Sequence, residues 1–144
     1  MYRDSSNQSG DMSEQIVRLD LIKKGYIILD PSSRDAIYDL VVDRGNGVFE
    51  TVQAKTMSNN SITKIVDRSG EKVSANGKTR NSQDYAQHKI DWLVGVNKKG
   101  EVFYYKLETY SKINKKSFSV KKHPQDGFPV RNVPSRHTKK LDKQ

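Results

Sequence analysis

Residues 36–55 constrain this chain more than any other stretch. Ala36-Ile37-Tyr38-Asp39-Leu40-Val41-Val42-Asp43 reads as a strand, Gly45-Asn46-Gly47 as a turn, and Val48 to Lys55 as a returning strand that ends in Gln53-Ala54-Lys55. Side chains alternate faces along a strand, so Gln53 and Lys55 share a side and the turn folds Asp39 back beside them. One carboxylate, one amide and one ammonium then meet at a single spot. Such a set suits a divalent metal holding a phosphate, with a lysine next to the attacking water, and nuclease chemistry is its natural use. The same stretch also reads as an ordinary hairpin, because Asp43-Arg44-Gly45-Asn46-Gly47 is good turn chemistry and isolated Asp and Lys on strands are usually solvated. Position speaks for the site: Asp39 interrupts the apolar series Ile37, Leu40, Val41, Val42, and Lys55 closes the series Val48, Phe49, Val52, Ala54.

Composition narrows the partners. A chain of 144 residues, 33% hydrophobic, supports one domain with a modest core. Its net charge of +9 predicts attraction to a polyanion, of which nucleic acid is the commonest for a small protein. No window has the length and apolarity of a transmembrane helix and the first residues carry no apolar signal region, so the expected location is the cytoplasm and no membrane partner is expected. The absence of cysteine excludes disulfides, thiolate zinc sites and cysteine nucleophiles. His88, His123 and His137 lack metal-ligand spacing, so any metal is held by oxygen, which favours magnesium or manganese over zinc.

Residues 1–10 are polar and expected to fray. A helix is predicted from Asp11 to Lys24, with Asp11 as cap, Gly25 as stop, and Met12, Ile16, Leu19 and Ile22 or Lys23 near one face. Tyr26 to Leu29 is a short strand closed by Asp30-Pro31. Thr56 to Arg80 reads as a basic hairpin or loop, Gln83 to His88 as a helical turn, and Ile90 to Val96 and Val102 to Leu107 as strands joined at Asn97-Lys98-Lys99-Gly100. Residues 111–144 form a lysine-rich extension, read either as a solubilising tail or as an arm that orders on DNA. Trp92, Phe103, Tyr104 and Tyr105 are read as packing rather than base-stacking side chains.

The order of helix, strand, Pro31, Asp39 and Gln53-Ala54-Lys55 resembles the PD-(D/E)XK nuclease superfamily, and within it the intron-encoded homing endonucleases of cyanobacteria. The resemblance runs through Ser13-Glu14, Gly25-Tyr26-Ile27-Ile28-Leu29-Asp30-Pro31, Tyr38 to Asp43 and Val52 to Thr56, and more loosely to residue 107. Gln53 departs from the acid that most members carry there, a substitution found in the homing-endonuclease group. The resemblance implies an α/β fold with a mixed sheet flanked by helices over residues 11–110, and it does not cover the basic C-terminal extension of residues 111–144. It implies Asp39 as principal metal ligand, Gln53 as a neutral oxygen donor, and Lys55 as the group that orients the water and steadies charge on phosphate. It matches Glu14 to the helix acid of such sites, although Asp11-x-x-Glu14 is also a capping pattern.

The expected activity is a magnesium-dependent endonuclease cutting double-stranded DNA, with manganese as substitute, probed against three rivals: a Holliday-junction resolvase, a restriction or repair nuclease, and a noncatalytic DNA-binding protein. Cutting both strands calls for two sites, hence a homodimer or homotetramer. DNA contacts are expected from Lys64, Arg68, Lys72, Lys78 and Arg80 and from Lys115 and Lys116. Glu50 is a tempting extra acid, but its odd separation from Gln53 and Lys55 sends it to the opposite face.

Overall fold

The structure is a computed structural model and describes residues 5–33, 36–65 and 84–131. Helix α1 (Ser5–Lys23) leads into β1 (Ile27–Leu29), β2 (Leu40–Gly45), β3 (Val48–Thr56) and β4 (Ser61–Thr63). A 3-10 turn (Tyr85–His88), β5 (Trp92–Val96), β6 (Val102–Lys106), a single helical turn α2 (Leu107–Tyr110) and β7 (Ser117–Ser119) follow. Five strands form one mixed sheet in the order β1-β2-β3-β5-β6, while β4 and β7 make a separate antiparallel ribbon. Within the sheet only β3 and β5 are parallel, pairing Val52 with Trp92 through Thr56 with Val96.

Alternation along the strands builds two cores. On one face α1 lays Val17 and Leu21 against Leu40, Val42, Val52, Ala54, Trp92, Val94 and Tyr104. On the other, Leu93 and Tyr105 are covered by Met57, Ile62, Tyr85, Ile90, Tyr110 and Phe118. Strand β5 is buried at every residue, as its unbroken apolar run requires. Gly95 on β5 is a close-approach position: a Cβ there would lie 2.5 Å from Ile62 Cδ1 and 2.9 Å from Met57 Cγ, so the β4 ribbon could not seat on the sheet.

Three expectations change. The helix begins by Ser5, so residues 5–10 are helical rather than frayed, and Asp11 lies inside the helix instead of capping it. Its buried stripe is Ser13, Val17 and Leu21, while Met12, Leu19 and Ile22 face outward with more than half their surface exposed. The physical reason is that the Ser13 hydroxyl is satisfied by a hydrogen bond with the Thr56 hydroxyl at 2.7 Å, so a polar residue can occupy the inner face. The third change concerns the extension, since residues 111–131 are part of the fold. Phe118 fills the second core, and Phe128 stacks among Tyr26, Trp92 and Tyr104 in the first. Arg131 closes the segment by donating its backbone N–H to Lys24 O at 2.8 Å. Residues 132–144 lie outside the described residues.

Candidate active site

The site assembles where β2 begins beside the C-terminal half of β3. Asp39 sits one residue before β2 and grips β3 twice: its N–H donates to Val52 O at 2.8 Å, and its Oδ2 accepts the Ala54 N–H at 2.9 Å. These two backbone groups flank Gln53, so the carboxylate lies next to it. The Asp39 carboxyl is pushed up to about 6, chiefly by burial and further by the Glu14 charge, against the lowering effects of the Ala54 N–H and the Lys55 ammonium. Glu14 and Lys55 are thus the charges that act on Asp39.

Gln53 is buried, and its Nε2 donates to Ala54 O at 3.2 Å. Its Oε1 is buried and accepts no hydrogen bond among the described residues. An acceptor in that state costs about 1–3 kcal/mol unless something else satisfies it. Lys55, two residues on, projects on the same side and brings its Nζ to 5.2 Å from the Tyr85 ring centroid.

Glu14 stands in the middle of α1, which rules out the capping role. It pairs with Arg18 at 3.5 Å, and the same guanidinium holds Asp30 beside Pro31. Neighbouring Ser13 ties the helix to Thr56, next to Lys55, and Thr56 Oγ1 also donates to Ser9 O at 3.2 Å. Ser13 and Thr56 are therefore the fastening between the helix acid and the strand lysine. Their role has no local sign in the sequence beyond a serine at the i−4 and i−8 positions of Val17 and Leu21.

The donor set fits a hard divalent cation. Among the described residues no three His, Cys, Asp or Glu side chains converge. Asp39 and Glu14 lie near enough to interact electrostatically, and Gln53 immediately precedes the Ala54 N–H that Asp39 accepts; oxygen donors of this kind suit magnesium, which retains water and takes further oxygens from a phosphate. A cation held by these residues would give the orphaned Gln53 Oε1 a partner and favour the ionised form of Asp39.

The expected DNA contacts divide. Lys64 is 3% exposed, donates to Ile113 O and pairs with Asp84 at 3.2 Å, so it is a buried strut and leaves the set of groove contacts. The reason is that β4 carries it into the second core, where a charge persists only when paired. Lys115 and Lys116 are exposed. Arg68, Lys72, Lys78 and Arg80 lie outside the described residues. Glu50 is where alternation put it, on the helix side, accepting the Trp92 indole N–H at 3.1 Å and paired with Arg44. Trp92, Tyr104 and Tyr105 are buried packing side chains.

A family profile described as PD-(D/E)XK endonuclease matches residues 4–130. Among solved structures, a bacterial homing endonuclease, I-Ssp6803I, is similar with a TM-score of 0.64 over 98% of both chains at 16% identity. Comparison with curated proteins gives no match.

Proposed function

Because the chain belongs to the PD-(D/E)XK endonuclease family, we propose that it is a magnesium-dependent endonuclease that hydrolyses phosphodiester bonds in double-stranded DNA at specific sites, in the manner of a homing endonuclease. The reading is supported by the buried Asp39 carboxyl, which feels the Lys55 and Glu14 charges and accepts the Ala54 N–H, together with the unsatisfied Oε1 of Gln53, the residue before Ala54. Asp39, Gln53 and Glu14 would hold the cation, which when bound polarises a phosphate and lowers the pKa of its water. Lys55 supplies a positive charge where negative charge grows on the phosphate as it is attacked, an interaction stronger in the transition state than before it. Arg18 pairs with Glu14 and restrains it, and the Ser13–Thr56 bond ties the helix to the strand.

Support for DNA as the substrate comes from the net charge of +9, which attracts a polyanion at long range. Lys115 and Lys116 are available for phosphate contacts. Support for a homodimer or homotetramer comes from the need for two sites to cut two strands, together with exposed apolar side chains around Asp43 on the outer part of the sheet. There Ile27 and Phe49 lie on either side of Asp43 in register, 58% and 54% exposed, with Leu29 beside them. No helix among the described residues is long and apolar enough to cross a membrane.

The test is incubation of purified protein with long duplex DNA in magnesium or EDTA, comparing wild type with Lys55→Ala. Discrete fragments that require both the metal and Lys55 support a site-specific nuclease. DNA that is bound yet uncut under magnesium and manganese, on duplexes and junctions alike, makes the protein a binder. Sedimentation of the uncut complex reads the subunit number.

A further inference from the structure

We propose that Tyr85 is the positioning residue for Lys55, its ring face holding the ammonium in the orientation that the site uses. This inference rests on the nuclease reading of the site. Lysine carries four rotatable bonds and about 2 kcal/mol of rotamer entropy, so a strand lysine is poorly placed for chemistry unless something restrains its tip. The Tyr85 ring centroid is 5.2 Å from Lys55 Nζ, within the range over which the negative face of an aromatic ring attracts a cation.

Tyr85 is itself immobilised to a degree that packing alone does not require. It is 4% exposed within the cluster of Met57, Ile62, Ile90 and Leu93. Its N–H donates to Lys64 O at 2.8 Å, and its carbonyl accepts from Ile90 N at 3.3 Å. Asp84, the preceding residue, caps the 3-10 turn by accepting the Ala86 N–H at 2.8 Å, and its second oxygen pairs with the Lys64 ammonium at 3.2 Å. Lys64 in turn donates to Ile113 O, and Ile65 bridges to Asp84. A buried ion pair contributes little net stability, and its best-attested use is to select one arrangement over others. Here it selects the arrangement that sets the Tyr85 ring against Lys55. A polar lysine in the second core, otherwise without purpose, thus gains one.

The experiment compares wild type, Tyr85→Phe and Tyr85→Met for kcat and KM on a cleaved duplex, together with the proton shift of the Lys55 ε-methylene, assigned by its loss in Lys55→Arg. Expected are a kcat within about twofold for Tyr85→Phe and a fall of about tenfold for Tyr85→Met, with KM unchanged in both. The ε-methylene should be shifted upfield by the ring in wild type and Tyr85→Phe and return to the position of exposed lysines in Tyr85→Met. A ring-fluorinated phenylalanine at position 85 keeps the shape while draining the ring face, and should lower kcat in the same direction even if Tyr85→Met folds poorly. An undiminished kcat in the fluorinated protein, or an ε-methylene shift that survives loss of the ring, overturns the proposal. If wild type cuts no DNA, the nuclease reading falls, whereas the proton shift still decides whether the ring holds Lys55.

Discussion

The two faces of strand β3 differ in kind although they alternate residue by residue. Val52 and Ala54 enter the core beneath α1, where neighbours are apolar or are polar groups with a partner, such as the Tyr104 hydroxyl donating to Asp20 at 2.6 Å. Gln53 and Lys55, one step away on the opposite face, stand beside a carboxyl held at about 6 and include an amide oxygen with no acceptor bond among the described residues. One face is satisfied and the other is held in an unfavourable state by its surroundings. Sites of that kind are built for a ligand rather than for stability, and substitutions at Asp39 and Gln53 should act in the opposite sense to those in the core beneath α1.

The largest effect should come from the satisfied face. Leu21→Ala removes a fully buried side chain and should lower stability by about 2–5 kcal/mol, measured by urea unfolding, while cleavage per folded molecule at low temperature is unchanged. Equal loss of activity and stability would erase the distinction between the faces.

Asp39→Asn should abolish cleavage and yet stabilise the metal-free protein. The folded protein holds the Asp39 proton at about 6 against 3.8 in the free chain, so this group favours folding below pH 4 and loses that contribution as pH rises through 6. The variant escapes the loss, gaining up to about 3 kcal/mol above pH 6 and nothing below pH 4. Thermal unfolding in EDTA across pH 3.5–8 reads the sign, and a variant less stable at pH 8 would refute it. Added magnesium should raise the midpoint of wild type and leave that of the variant unmoved.

Gly95→Ala tests the packed part of the Lys55 face, because Gly95 pairs with Lys55 and its new methyl would meet Ile62. Overpacking there should cost about 1–3 kcal/mol, and cleavage should fall with it if the β4 ribbon is displaced from beside Lys55. The smallest expected effect is Gln53→Met, which removes the orphaned acceptor: metal-free stability should rise by about 1 kcal/mol while calorimetry shows weaker magnesium binding.

Much of this was legible in the linear order of residues. Period-two alternation placed Gln53 with Lys55 and Glu50 away from them, and the Gly45-Asn46-Gly47 turn with the flanking apolar runs marked the hairpin, all consequences of local backbone geometry. The buried face of α1 was misread because Met12, Leu19 and Ile22 outweigh Ser13 by hydropathy, whereas the fold rewards Ser13 with a partner 43 residues away. Lys64 was misread for the same reason, since its charge is matched by Asp84 only after the chain returns. In the lysine-rich run after Ser111, Phe118 and Phe128 stand among several apolar residues able to anchor the segment, and no periodicity singles them out as the buried ones.

By itself, then, the sequence determined the hairpin, the identity and shared side of Gln53 and Lys55, the oxygen-only donor chemistry and the positive field, because these depend on neighbours in the chain and on composition. Only the tertiary structure decided that Asp39 would be buried against Ala54, that Glu14 would reach it from a helix interior, and that a clamp of Lys64 and Asp84 would set Tyr85 under Lys55. Burial, ionisation and the satisfaction of a polar atom are properties of surroundings, and surroundings exist only once distant segments have packed together.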